Sequence, residues 1–220
     1  MSTLEVLTGF CMAWGCVLKW CFLIVPCQVF SFTAQAQPSL AQHLTFPEGT
    51  VYEILRDSKG FMWFAASSGL YRYDGYTTLV YRHDPDKDTS LSDTFVTSVK
   101  EDHDGNLWIG TLNGGLNKLI PSTNTVIRLN SSLPDKTGIP KKSITDIEVD
   151  QTGNIWVIAG MVYKINPVTL AVDSLALRTP ENFQVIKIFF DRQGTIWLGS
   201  NGDGFGKFNA LTGAIEIHRV

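Results

Sequence analysis

The stretch that decides the fold is residues 101–111, which read EDHDGNLWIGT. It contains the pattern D-x-x-G-x-x-W, and the same pattern recurs three more times along the chain. Two of the six tryptophans lie at positions 14 and 20, and the other four all occupy the last position of this pattern. An internal repeat is therefore the first feature that the fold has to explain. The repeated residues are Asp57, Gly60, Trp63, Asp102, Gly105, Trp108, Asp150, Gly153, Trp156, Asp191, Gly194 and Trp197.

Each copy of the pattern is predicted to be a β-hairpin. A run rich in β-branched and aromatic residues precedes each aspartate, as in 185–190. The aspartate supplies a side-chain acceptor at the first position of the turn, and the glycine tolerates a positive φ at the fourth. Small residues such as Gly110 and Gly199 follow the tryptophan. They indicate close contact with a neighbouring sheet and a structural role for the indole ring.

The repeat predicts an all-β fold made of β-propeller blades, each with four antiparallel strands. Two further strand-like segments follow the first hairpin, and the tryptophans lie 45, 48 and 41 residues apart. Four short strands at that period are typical of a propeller, with a solenoid as the lesser alternative. We find no closing strand near residue 220, so we expect an incomplete ring of about four blades from a longer coding sequence. The predicted blades lie near 50–82, 95–130, 143–175 and 184–220.

The first 36 residues are predicted to be a signal peptide. Lys19 precedes an apolar run, and Ala34 and Ala36 form a small-x-small site, which is the layout of a secretory signal. We expect cleavage after Ala36, which leaves 37–220 as a partial β-propeller. An uncleaved membrane anchor is the alternative. Met12 is a second candidate for the start of the leader.

Composition and charge exclude several classes of function. All four cysteines lie in the predicted leader, so the exported part has no disulfide, cysteine-ligated zinc or cysteine nucleophile. With 44% hydrophobic and 18% charged residues, the chain has the composition of a folded globular protein. A net charge of −3 gives no basic surface for phosphate backbones, so we expect no nucleic-acid contact by this segment.

Two of the repeats closely resemble the two-component regulator propeller family, found in the exported sensor region of hybrid two-component histidine kinases. The resemblance rests on 57–63 with 69–75, on 101–111 with 114–117, and on the link 81–92. It is weaker in the third and fourth repeats. The third repeat has Gly160-Met161 and lacks the double glycine of the second repeat. In the fourth repeat, Asp203-Gly204-Phe205 replaces Gly-Gly-Leu.

The resemblance implies a function that the spacing of the residues does not show. It implies a sensor on the periplasmic side of the inner membrane, which relays a signal to downstream signalling domains of the same protein. A histidine kinase or a cyclic-dinucleotide synthase would be the output. It also implies oligosaccharides, in the form of glycan fragments, as the ligand. No residue of the sequence identifies where that ligand binds.

The sequence assigns no catalytic, cofactor-binding or metal-binding residue, and we expect no cofactor. Asp84, Asp86 and Asp88 alternate like the start of a calcium loop. Thr89 and Phe95 stand where that loop needs a glycine and a bidentate glutamate, so a solvated turn is predicted instead. The four histidines are scattered and indicate no nucleophilic triad. The tyrosines at 71, 73, 76 and 81 are able to stack on a sugar ring, but we favour packing on outer strands.

Two further classes of function stay open, and with them the question of whether the chain is an enzyme. A sialidase-like hydrolase or a quinoprotein would also carry repeated Asp, Gly and Trp, although those repeats place the three residues at different spacings. A structural or adhesive propeller would bind a protein partner through its rim. A downstream membrane helix and kinase would exclude that third hypothesis.

Overall fold

The computed structural model describes residues 47–129, 139–178 and 183–218, and these form sixteen β-strands and no helix. The predicted signal peptide lies outside the described residues. The strands are β1 Val51–Arg56, β2 Met62–Ala66, β3 Gly69–Tyr73, β4 Thr78–Tyr81, β5 Val96–Glu101, β6 Leu107–Thr111, β7 Leu116–Ile120, β8 Thr125–Leu129, β9 Asp146–Val149, β10 Ile155–Ile158, β11 Val162–Ile165, β12 Val172–Leu175, β13 Val185–Phe190, β14 Ile196–Ser200, β15 Phe205–Asn209 and β16 Ala214–His218.

The strands form four separate sheets, each built from four consecutive antiparallel strands in chain order. We call these sheets blades 1 to 4. The predicted all-β fold of four-stranded blades is confirmed. In the described part of the chain, no helix has the length and hydropathy that are needed to cross a membrane.

The blades stack face to face in the order of the chain. The first strand of each blade is innermost, and β1, β5, β9 and β13 each contact the next one. Every seam between neighbouring blades holds one cluster of buried apolar side chains. Trp63 lies in the seam between blades 1 and 2, Trp108 in the next seam, and Trp156 in the third. Each of these tryptophans therefore belongs to its own blade and to the core that joins it to the following blade.

Two sheet faces at the ends of this stack are exposed. Phe205 of blade 4 is 43% exposed, whereas Leu116, at the same position of blade 2, is fully buried. At the other end, Ile54 of blade 1 is 59% exposed, whereas its equivalent Val99 is fully buried against blade 1. The difference follows from position, because no described blade precedes blade 1 or follows blade 4. Both faces have the apolar character of a seam.

Candidate functional site

The aspartate of each repeat organises the turn between the first two strands of its blade. In blade 2, Oδ1 of Asp102 accepts hydrogen bonds from the main-chain N–H groups of Asp104 at 3.0 Å and Asn106 at 2.8 Å. The N–H of Gly105 donates to the Asp102 carbonyl at 3.0 Å. Gly105 has a φ of +79°, which explains why glycine occupies this position. The four residues from Asp to Gly thus fix the hairpin locally.

The second oxygen of the same carboxylate binds the tryptophan of the returning strand. Nε1 of Trp108 donates to Oδ2 of Asp102 at 2.9 Å. The equivalent distances are 2.8 Å in blade 1, 2.8 Å in blade 3 and 3.0 Å in blade 4. We call this arrangement the Asp–Trp pair. It places all twelve residues of the sequence pattern in four equivalent hairpins.

A cation lies beside the Asp–Trp pair on the third strand of the blade. Lys118 is directly opposite Trp108 in the sheet, with its Nζ 5.1 Å from the ring centroid and 3.7 Å from Oδ2 of Asp102. Lys164 occupies the same position in blade 3, 5.4 Å from the ring of Trp156. Such a cation is attracted both by the ring face and by the carboxylate. The positions opposite the four tryptophans are Arg72, Lys118, Lys164 and Lys207.

The sequence reasoning missed this cation, although the chain carries a signal for it. A basic residue follows each tryptophan by eight to ten residues. The offset varies because the turn between the second and third strands differs in length from blade to blade. A search at fixed spacing therefore does not align these positions, whereas a search in strand register does.

The carboxylate of the Asp–Trp pair is engaged by its own hairpin. Both oxygens of Asp102 accept hydrogen bonds, which leaves this carboxylate no oxygen turned to a substrate. The hydrogen bond from Trp197 is the main cause that holds the pKa of Asp191 below its usual value. Burial tends to raise the pKa of Asp150, but hydrogen bonds, first that of Trp156, outweigh it and lower the pKa. Both carboxylates are therefore stabilised in the ionised form.

Carboxylates on the innermost strands tie one blade to the next. Oε2 of Glu53 accepts hydrogen bonds from Oγ of Ser98 at 2.7 Å and from the N–H of Val99 at 2.9 Å. Asp146 of blade 3 holds blade 4 in the same way: Oδ2 accepts from the N–H of Ile188 at 2.8 Å, and Oδ1 binds Nζ of Lys187 at 2.7 Å. Burial raises the pKa of Asp146 despite the bond from that lysine.

A short row of alternating charges connects the innermost strands of blades 1, 2 and 3. Nζ of Lys100 lies 2.8 Å from Oε1 of Glu148 and 3.6 Å from Oε1 of Glu53. Burial tends to lower the pKa of Lys100, but the hydrogen bond and the attraction of Glu148, together with Glu53, raise it. Each charge in the row has an opposite charge beside it, so these ion pairs connect the three blades to one another.

The residues weighed as a calcium loop and as a sugar-stacking stretch have local partners. Oδ1 of Asp84 accepts the N–H of Asp86 at 3.1 Å, and Oδ2 lies 3.1 Å from Nζ of Lys87. The ring of Tyr71 is buried, and its hydroxyl lies 2.8 Å from Oγ of Ser68. Within the described ranges, no group of three or more His, Cys, Asp or Glu side chains is placed to hold a metal ion.

Comparison with protein families gives the repeat a name. Residues 90–113, which include β5, the Asp102 turn and β6, match the family model described as "Two component regulator propeller". This segment is similar to a two component regulator propeller repeat. The resemblance inferred from the sequence is thereby confirmed. No curated protein sequence matches the chain.

Solved structures with the same fold include two extracellular domains from B. thetaiotaomicron. That of BT3049 from B. thetaiotaomicron, assigned to a hybrid two component system, has a TM-score of 0.69 at 18% identity and covers 83% of this chain and 26% of that chain. That of BT4673 from the same organism, assigned to a one component system, has a TM-score of 0.63 at 22% identity and covers 79% and 26%. The chain thus spans about a quarter of the length of these domains.

An enzyme also has a similar fold. Virginiamycin B lyase from Staphylococcus aureus has a TM-score of 0.62 at 15% identity, with coverage of 80% of this chain and 58% of that chain. At such identities the likeness concerns the propeller fold alone. The two extracellular domains and this lyase share the scaffold, so the fold alone does not decide the function.

Proposed function

We propose that the chain is the N-terminal extracytoplasmic part of a two-component signalling protein, which senses a ligand and relays its binding to signalling domains of the same protein. The observation that carries this proposal is the match of residues 90–113 to the two component regulator propeller family. The other three blades repeat its Asp–Trp pair with distances of 2.8–3.0 Å, which extends the similarity of the matched segment to the whole stack.

Export to the periplasmic side of the inner membrane is the first part of the proposal. The apolar leader with Lys19 and the small residues Ala34 and Ala36 supports it. The extracellular location of the two B. thetaiotaomicron domains supports it as well. The cysteine-free composition of 37–220 suits an oxidising compartment, since no thiol is present to mispair.

The test of export is a fusion of alkaline phosphatase, an enzyme active only outside the cytoplasm, after residue 220. We expect phosphatase activity from the fusion and its loss when residues 1–36 are deleted. A matched fusion to a fluorescent protein that matures in the cytoplasm should give the opposite result. Activity that is absent from the first fusion, with fluorescence in the second, would refute export.

Relay of a ligand signal is the second part, with glycan fragments proposed as the ligand and no contact with nucleic acid. The test compares transcripts of a strain without the gene and a complemented strain, both grown on a panel of purified polysaccharides. We expect at least one polysaccharide to induce genes only in the complemented strain. Complementation with a Trp108→Ala gene should abolish that induction, because the seam between blades 2 and 3 loses its central ring. Identical transcripts in both strains on every polysaccharide would refute the sensor.

A further inference from the structure

We propose that a cleft on the link face of blades 2, 3 and 4 binds a small anion that has an apolar body. The link face is the end of the blades opposite to the Asp–Trp turns, and here it consists of residues 112–113, 141–145, 158–161, 175–177 and 183–185. The inference goes beyond the proposed function, because a ligand with an apolar body differs chemically from the glycan fragments proposed there.

One half of the cleft is apolar. It has a volume of about 390 Å³ and lies between the second turn of blade 3 and the start of blade 4. Its walls are mainly carbon, and Phe183 at its base is buried in the seam between the two blades. Apolar walls of this kind hold the body of a ligand by excluding water. The apolar lining residues are Ile158, Met161, Leu175, Leu177, Phe183 and Val185.

The other half of the cleft is also lined largely by carbon, but it carries two lysines. It has a volume of about 460 Å³ and is lined by Asn113, Lys141, Lys142 and Ser143. The two halves are continuous, since Thr145, Gly160 and Gln184 line both of them. Together they reach the size of a pocket for a small molecule.

The charge of the cleft favours an anion. Lys141 and Lys142 are exposed, and neither forms a salt bridge within the described residues. Among the residues that the structure describes, no aspartate or glutamate lines either half. Two adjacent ammonium groups beside amide and hydroxyl groups suit a carboxylate, sulfate or sulfonate. A neutral apolar ligand would leave this half of the cleft unused.

The departure of blade 3 from the double-glycine turn explains why the cleft lies here. The turn after β10 is only 159–161, whereas the corresponding turn of blade 2 is 112–115. In blade 2, a Cβ added at Gly115 would lie 3.3 Å from the Pro140 carbonyl, so the longer turn is packed against the link. At Gly160 an added Cβ would meet nothing within 4 Å. The shorter turn of blade 3 leaves a space, whereas in blade 2 the longer turn fills the corresponding space.

The probe for the test is 8-anilinonaphthalene-1-sulfonate, which carries fused apolar rings and one sulfonate and fluoresces when it leaves water. It is titrated into the purified chain. We expect saturable binding, and a Kd about five- to tenfold higher in the double variant Lys141→Gln, Lys142→Gln, as removal of two exposed charge contacts gives. Ala176→Trp fills the apolar half and should abolish the saturable phase.

Two control variants separate the cleft from the rest of the surface. Lys59→Gln removes an exposed charge at an Asp–Trp turn, and Phe205→Ser reduces the open face of blade 4. Both should leave the Kd unchanged. An unchanged Kd in the Lys141, Lys142 variant, or a loss of binding in Phe205→Ser, would overturn the proposal. Far-UV circular dichroism establishes that each variant is folded, and if Ala176→Trp is not, the lysine variant decides alone.

The experiments can refute the cleft and the signalling function independently of each other. If the probe does not bind but the transcript response persists, the cleft is refuted and the signalling function stands. If the probe binds as described but no polysaccharide alters transcripts, the binding site stands and the signalling function is refuted.

Discussion

Replacement of Trp108 by phenylalanine tests whether the Asp–Trp pair stabilises the stack. Trp108 is fully buried, and its Nε1 donates to Oδ2 of Asp102, which is itself buried. Phenylalanine keeps an aromatic ring but removes the donor. Loss of a hydrogen bond to a buried charged group costs about 1.5–3 kcal/mol. The smaller ring adds about 1 kcal/mol for the volume that it leaves unfilled. We therefore expect the free energy of unfolding to fall by about 2.5–4 kcal/mol.

The matched control is Trp197→Phe in blade 4. The same hydrogen bond is present there at 3.0 Å, but both Trp197 and Asp191 are only half-buried. Water is able to replace the lost donor, so we expect a cost of about 1 kcal/mol or less. Urea unfolding followed by far-UV circular dichroism measures both variants without relying on tryptophan emission. Costs that agree within about 0.5 kcal/mol would contradict the reasoning, since the two sites differ chiefly in burial.

Three further variants probe the seam, the turn and the open face. A Cβ added at Gly110 would lie 2.6 Å from the side chain of Ile144, whereas one added at Gly199 would lie 3.4 Å from its nearest neighbour. In urea unfolding, Gly110→Ala should lower the free energy of unfolding by about 1–3 kcal/mol and Gly199→Ala by much less. Equal losses in the two variants would contradict close packing in the seam. The bond from Trp197 holds the pKa of Asp191 below its usual value. The ionised carboxylate therefore stabilises the folded state at a pH above that usual value, and this stabilisation is lost as the pH falls through the depressed pKa. Asp191→Asn should flatten acid unfolding, and an unaltered acid transition would count against the pair. Phe205→Ser should reduce aggregation in light scattering, because this ring is exposed on a seam-like face; unchanged scattering would show that the face is not adhesive.

The hairpins were predictable because their causes are local. The turn needs an acceptor at Asp102 and a positive φ at Gly105, and both requirements fall within four residues of sequence. The close approach of blades was predictable from Gly110, where a larger side chain would strike the neighbouring Ile144. The bond from the indole to the second oxygen of Asp102 was not predicted, since spacing alone does not show which way the ring nitrogen points.

The contacts between blades were beyond sequence reasoning because they have no repeated residue type. The position four residues before each turn aspartate carries Glu53, Ser98, Asp146 and Lys187 in the four blades. These side chains meet only when the sheets stack, since Glu53 and Ser98 are 45 positions apart in the chain. The link-face cleft was not predicted from the sequence for a related reason. Its lining comes from several separate segments, and the one visible signal was the missing double glycine near Gly160.

The identity of those four seam residues means that the blades are not interchangeable parts. Glu53 and Asp146 each accept a hydrogen bond from the main chain of the next blade, and Glu53 also accepts one from the short side chain of Ser98. Asp146 instead meets the long cation of Lys187. If blade 4 were transplanted to follow blade 1, Glu53 would face a lysine in place of the serine that it binds. Engineers who shuffle or duplicate these modules would have to keep the partners of every seam together, since Lys100 and Glu148 join blade 2 to blade 3 as well.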